Sequence, residues 1–436
     1  MRGCKPSSLN NLDVGLQQSG TQRLVIVGGG ASGLACALTA TRLGVSTVLL
    51  ERMDRCGSKL AITGGSRANL THADTPRGMA RKFSCEPGLL IPLLRMVPYQ
   101  RVVEFFASVG VRCRTDDAGC IWPEGMGASR LRDQLVHAAR AGGVDIRTGC
   151  RVRAVSRDTG MWHTDLGGRD MVAGAVCIAT GGASRPGTGS SGDGLGLCSS
   201  LGLATTGWFP ALCSLEPRQP VEELAGITQQ PVSMVLSVAG DAVRKATGHF
   251  IFAHRYVSGS AILNLAGHAA RALQQKQDVR LTVDWIPALG PAALDGEIRT
   301  GRARQGHRLV VNWLNRFVAR RLADRLVRDA GVPPDRRMTE LARTELQALV
   351  RVLKQTVFDI KGTEPIERAT VTGGGVVLDE VELTTCEARR LPRLYITGEL
   401  LGTWAETGGY NLHLAWATGI AAGEAAARNL VSDKSL

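Results

Sequence analysis

Unbroken apolar runs and stretches of helical period alternate along the first part of this chain. The run RLVIV at 23–27 shows no polar alternation, the pattern of a parallel strand buried on both faces. Residues 31–43 (ASGLACALTATRL) carry small and apolar side chains at helical spacing and predict a helix. STVLL at 46–50 predicts a second strand, ended by Glu51. Helices are expected over 88–110 and 129–141, and a further strand over 171–179 (MVAGAVCIA). Residues 205–300 change pattern. Short runs such as SMVLSVAG and VRLTVDW between turns predict antiparallel strands. Residues 307–356 return to helical period. The last patterned stretch returns to the order seen at the start, with a strand RLYIT at 393–397, glycines, then the small-residue helix LAWATGIAAGEAAA. These patterns predict an α/β protein whose first lobe is split around an insert. The expected boundaries are a disordered leader at 1–21, the first lobe at 22–205 and 365–436, and an inserted lobe at 206–364, antiparallel β then helical.

Composition changes this picture little. The chain has 436 residues, 53 of them glycine, an excess that suits tight turns and close backbone approach to a ligand. The net charge of +13 raises nucleic acid as a partner. The arginines are scattered among acids and aliphatics, as in RRLADRLVRDAGVPPDRR, which reads as solvated helix faces, so nucleic acid is not the expected partner. Eleven cysteines include no Cys-x-x-Cys pair, and reduced thiols in a cytoplasmic protein are expected. No stretch approaches 18 uninterrupted apolar residues, so no membrane span is expected.

The chemistry begins at GGGASG, residues 28–33. Gly28, Gly30 and Gly33 have dinucleotide-binding spacing, and the strand–turn–helix–strand context gives that spacing meaning. The first glycine permits the tight turn, the second lets the backbone approach a pyrophosphate, and the third lets helix and strand pack. Glu51, 23 residues after Gly28, stands where an acid accepts from ribose hydroxyls. This turn alone does not separate NAD from FAD. The C-terminal block LYITGELLGTWAETGGYNLHLAWATGIAAG adds a strand, the pair Gly398–Glu399 and a second glycine turn entering a helix at Gly408–Asn411. An extended FAD needs such a second site, and a helix N-terminus there would stabilise negative charge on a reduced flavin.

Five segments together carry a resemblance: VIVGGGASGLACALTATRLG with VLLER, KLAITGGSRANLTH, IATGGASRPGTGSSGDGLGLCSSLG, TVTGGGVVLDEVELTTCE and the C-terminal block. Over residues 22–428 the chain resembles the BaiN-like, aminoacetone-oxidase-like family of FAD-binding oxidoreductases. The resemblance implies a Rossmann-like FAD domain of the glutathione-reductase type with an inserted substrate lobe. It implies that Gly28, Gly30, Gly33 and Glu51 hold the AMP half, with Ala31 and Ser32 at the helix start. Thr63, Gly64, Gly65, Arg67 and Asn69 are expected to line the flavin region. Gly398, Glu399, Gly408, Gly409, Tyr410 and Asn411 are expected to hold the ribityl–flavin half, and Lys59, Thr180 and Gly181 complete the expected cofactor set.

Two departures bear on chemistry. The family loop Gly-Gly-Gly-Arg-Cys-Asn here reads Gly64-Gly65-Ser66-Arg67-Ala68-Asn69, so its cysteine is absent. The insert loop has Arg255 after His254, where the family is usually aromatic. The candidate catalytic residues are His254 as a proton donor, Arg67 as an anion anchor, and Tyr410 on the flavin face. Each has a plainer alternative: a structural histidine, a surface arginine paired with an acid, and a helix-start packing residue. His249 and His254 lack a third partner at metal spacing, so no metal is expected. The expected function is FAD-dependent hydride transfer through flavin N5, fed by NAD(P)H, onto a small conjugated or carbonyl substrate. The alternatives are an O₂-using amine or hydroxy-compound oxidase, an RNA-binding flavoprotein of tRNA modification, and a flavin-fold sensor without turnover. The pattern leaves the oligomeric state open.

Overall fold

The computed structural model describes residues 22–431; the leader expected over 1–21 lies outside them. The run RLVIV forms a strand, Arg23–Val27, hydrogen-bonded on both sides: to Ser46–Leu50 and to Ala175–Ile178, both parallel. A strand with two parallel neighbours meets side chains above and below, which is why this run needs no polar alternation. Asp145–Arg147 pairs beyond Ser46–Leu50, and Leu394–Ile396 pairs beyond Ala175–Ile178. The strand from the end of the chain thus lies two places from the first strand. The antiparallel pair Val381–Glu382 and Glu387–Ala388 completes a seven-stranded sheet.

The helix Ala31–Arg42 packs on the C-terminal helix Gly408–Val431, and small residues set their separation. A Cβ on Gly419 would overlap the Ser32 carbonyl, and one on Gly423 would sit 2.7 Å from the Cys36 carbonyl oxygen. Both helices are almost wholly buried along this face, in the core that the sheet shares.

Residues up to Trp208 and from Gly373 onward form one compact unit, and Phe209–Thr372 forms a second. The second unit is built on a closed barrel. Its strands run in the order Leu215–Pro217, Tyr256–Ser258, Asp241–Ala253, Thr228–Val238, Val279–Asp284 and Thr356–Thr363. Helices, among them Ser260–Gln274, Pro291–Arg304, Arg320–Asp329 and Arg343–Lys354, share its separate apolar core.

Three local expectations differ from what forms. The helix expected over 88–110 is two, Pro87–Met96 and Tyr99–Ala107, because Pro98 stops one and starts the next. The strand expected over 171–179 breaks at Gly174 into an outer strand of a three-stranded meander, Asp170–Ala173, and the parallel strand Ala175–Ile178. The stretch read as all strands contains the 15-residue helix Ser260–Gln274, whose buried positions include 261, 262, 265, 266, 269 and 270, at helical spacing. The barrel then closes with Thr356–Thr363, after the helices rather than before them.

Candidate functional site

The carboxyl ends of the parallel strands lead into the turn Gly28–Gly33. Gly28 has φ +110°, and a Cβ there would stand 2.5 Å from the Ala179 carbonyl oxygen of the neighbouring strand. Its N–H donates to Leu50 O at 2.8 Å. A Cβ on Gly33 would overlap the Gly28 carbonyl, so this glycine is what seats the helix against the turn. Gly30 is different: a Cβ on it would meet nothing within 4 Å. It precedes a 12-residue helix that has no side-chain cap and no acid in its first turn. Such an end offers unpaired N–H groups and a positive dipole to an anion.

Glu51 is buried, and its carboxylate is held by two backbone amides. Gly29 N donates to Oε2 and Met53 N to Oε1, both at 2.8 Å. The carboxylate keeps lone pairs for hydroxyl donors. It borders a cleft lined also by Gly28, Arg52, Arg151, Val152, Thr180 and Asp193. Asp193 accepts from Arg52 and Arg151, each at 3.0 Å, across the mouth of this cleft. Sequence reasoning missed Arg52, Arg151 and Asp193. Only Arg52, next to Glu51, carried a positional signal.

Residues far apart in sequence meet at the second half of the site. Lys59 Nζ lies 2.7 Å from Glu399 Oε2 and 2.7 Å from Ser184 Oγ, and Gly182 N donates to Glu399 at 3.3 Å. Gly398, at φ +69°, leaves room for Ser32, whose Oγ would be 2.6 Å from a Cβ there. The structure therefore brings Ser32, Lys59, Gly181, Gly398 and Glu399 together. Thr180 Oγ1 is buried without a hydrogen-bond partner.

The loop after Lys59 is strained backbone. Gly64 and Gly65 are both left-handed, at φ +55° and +61°, followed by Ser66 at +68° and Ala68 at +59°. Thr63 Oγ1 donates to Leu60 O at 2.8 Å, which begins this turn. The loop delivers Asn69 against the start of the C-terminal helix, where a Cβ on Gly409 would stand 2.6 Å from Asn69 Nδ2. Asn69 Oδ1 is buried with no partner. Arg67 is exposed and lies over the Trp122 ring at 4.6 Å, not against an acid. Tyr410 stacks on His72 at 4.2 Å between ring centres, and its hydroxyl reaches Asp74 at 3.3 Å. Burial, then the Asp74 carboxylate, holds the phenol protonated well above its ordinary range. His72, Asp74 and Cys120 were not singled out from the sequence, although His72 closes the quoted loop.

The Asn411 side chain bonds the backbone of the turn before its own helix. Oδ1 accepts from Ala405 N at 3.0 Å, and Nδ2 donates to Ala405 O and Thr407 O at 3.0 and 2.7 Å, closing the turn before the helix. Beneath it His413 is fully buried. Nε2–H donates to Val97 O at 3.1 Å and Nδ1 accepts from Thr71 Oγ1 at 2.7 Å, and burial pushes its pKa down to about 4. His254 lies in the second unit, exposed at φ +45° on the turn between Asp241–Ala253 and Tyr256–Ser258.

These features fit an extended flavin dinucleotide: an uncapped helix end beside open space at Gly30, a buried acid at the cleft, and two orphaned polar atoms, Thr180 Oγ1 and Asn69 Oδ1. Fold and site together define an FAD-dependent oxidoreductase. The chain belongs to the HI0933-like protein Rossmann domain family, which matches residues 22–425. It is 30% identical over 93% of its length, and 99% of the relative's, to a 3-dehydro-bile acid delta(4,6)-reductase of Clostridium scindens. It is 27% identical over 94% of its length, and 98% of the relative's, to a ribosomal RNA dihydrouridine synthase of Escherichia coli. Among solved structures, the 3-ketosteroid delta1-dehydrogenase of Sterolibacterium denitrificans shares the fold with TM-score 0.51 at 13% identity, over 94% of this chain and all of that one. Among the described residues no helix is long and apolar enough to cross a membrane.

Proposed function

We propose that this protein reduces a carbon–carbon double bond conjugated with a carbonyl in a small organic molecule, taking electrons from NADH or NADPH. The observation that carries this reading is the likeness to the delta(4,6)-reductase along nearly the whole of both chains. A 3-oxo group conjugated with 4,6 double bonds is a dienone, whose β-type carbons accept hydride. FAD, when bound, supplies the two-electron carrier between donor and acceptor. The residues that would hold it are those of the two halves above, with Lys59 and Glu399 between them.

Reducing one such double bond adds a hydride to one carbon and a proton to its neighbour, and the nicotinamide leaves oxidised. The protein's part is the proton and the polarisation of the carbonyl. Tyr410 is our candidate for the proton because it carries a phenol, protonated across the physiological range, at the start of the C-terminal helix; its hydroxyl donates to Asp74 and would have to leave that bond to deliver the proton. Arg67, whose guanidinium lies over Trp122, is our candidate anchor for an anionic substrate group. His254 is the candidate donor of the second unit.

A second reading is favoured by the dihydrouridine synthase relatives, at 27% and 24% identity. The 5,6 double bond of uracil is also conjugated with a carbonyl, so the chemistry is the same and the substrate is RNA. The net charge of +13 suits that partner. One experiment separates the readings. The purified protein is titrated anaerobically with NADH and then NADPH, and the flavin's visible band is followed. The reduced protein is then mixed with a 3-oxo-4,6-dienone or with unmodified ribosomal RNA. Bleaching by a nicotinamide and reoxidation by the dienone support the first reading. Reoxidation by RNA with dihydrouridine formation supports the second. A flavin that refuses both nicotinamides overturns the donor assignment and turns the search to oxidase chemistry with O₂.

A further inference from the structure

We propose that His72 is a positioning residue that fixes the Asn69 carboxamide with its oxygen turned to the cofactor, as the acceptor for a ring N–H group; this rests on the flavin-site reading above. Three groups converge on one atom, His72 Nε2: the Asn69 Nδ2 amide, which can only donate, at 3.2 Å, and the Thr407 hydroxyl at 3.4 Å and the Cys120 thiol at 3.9 Å, each of which can donate. Because the Asn69 NH₂ can only donate, Nε2 accepts from it, which places the imidazole proton on Nδ1. The Asn69 amide nitrogen is then committed to His72, and it is also backed against the helix start at Gly409. What remains is Asn69 Oδ1, buried and without a partner. A buried carboxamide oxygen left unpaired is costly, so this atom is an acceptor waiting for a donor. The isoalloxazine ring carries an N–H at N3, and a second at N5 when reduced.

The arrangement is reversible. Protonated His72 would point Nε2–H at Asn69, and the carboxamide would have to rotate to accept it, presenting its NH₂ to the cofactor instead. The groups around the imidazole pull in both directions. Asp116 and Asp74 favour the charged ring. Lys82 opposes it, the buried His413 nearby is neutral, and Tyr410 covers its face. Burial outweighs the carboxylates and holds the ring neutral.

Two measurements test this. The first is independent of FAD: ¹⁵N NMR of the imidazole in the flavin-stripped full-length protein at pH 8. The expected result is the Nδ1–H tautomer at His72, and an Nε2–H tautomer overturns the proposal. The second is FAD binding, followed by flavin fluorescence quenching from pH 8 to pH 5. Wild-type affinity is expected to fall on acidification. His72→Phe keeps the stack on Tyr410 but loses the acceptor, so its affinity at pH 8 should drop about threefold to tenfold, the worth of one hydrogen bond. His72→Gln, whose carboxamide oxygen accepts from Asn69, should restore affinity without the acid dependence. A His72→Phe variant with wild-type affinity and the wild-type pH profile overturns the proposal. A wild-type protein that takes up no FAD at any pH refutes the cofactor-facing role along with the flavin assignment, and the tautomer measurement then tells whether the imidazole still orients Asn69.

Discussion

The two halves of the candidate cofactor site are built by opposite means. The half at Gly28–Gly33 and Glu51 is made of backbone in regular surroundings: two parallel strands, a helix end, and one acid pinned by two amides. The half at Lys59–His72 and Ala405–Asn411 is made of side chains on strained loops, with four left-handed residues between 64 and 68. Its partners come from opposite ends of the chain, as in Lys59 with Glu399 and Thr71 with His413. The first half depends on atoms that are absent, the missing Cβ groups. The second depends on atoms that are present, and on their orientation.

Substitutions at Gly33 and Gly30 sharpen that contrast most, and they have the largest expected effect. Gly33→Ala would drive a Cβ into the Gly28 carbonyl, so the chain should lose about 3 kcal/mol or more and purify poorly and colourless. At Gly30 a Cβ meets nothing within 4 Å, so Gly30→Val builds into open space. It should melt within a few degrees of wild type yet retain no flavin, because the new side chain occupies the phosphate approach. Thermal melting and the visible spectrum separate the two. A Gly30→Val protein that purifies fully yellow would break the assignment of this turn.

Acid should expose the second half next. His413 is neutral when folded, with its pKa lowered to about 4, against about 6.5 for an unfolded histidine. Between those values the unfolded chain binds the extra proton, so stability is full above pH 6.5 and falls as the pH drops toward 4. The slope is about 1.4 kcal/mol per pH unit for one proton. His413→Gln should be less stable than wild type at pH 7 and should lose stability less steeply on acidification. Denaturant midpoints from pH 7 to pH 4.5 measure both, and parallel slopes would show that another group carries the acid sensitivity.

The smallest expected effect lies at the turn that Asn411 closes. Asn411→Ala removes three hydrogen bonds to Ala405 and Thr407 and should cost about 1–2 kcal/mol. The release of this turn should raise the dissociation constant for FAD severalfold. Equal FAD affinity in the variant would show that the turn does not shape the cofactor's surroundings.

The sequence by itself determined the first half almost completely. A glycine spacing between two apolar runs, with an acid at the end of the second, is a local pattern, and the geometry it specifies is local too. The family was legible for the same reason, since its motifs are contiguous. Broken helices at Pro98 and a strand broken at Gly174 were missed where a longer apolar run hid a short interruption. The helix Ser260–Gln274 was missed because its neighbours set the period that was read. Only the tertiary structure decided that the Asn411 side chain closes the turn before its helix, that Arg67 lies on Trp122, and that His72, Asn69 and Tyr410 form one cluster. Those facts depend on which side chains meet across long stretches of chain. A pattern of types along the chain reports burial and period, whereas the direction of an amide or an imidazole is set by the donors and acceptors that packing places around it.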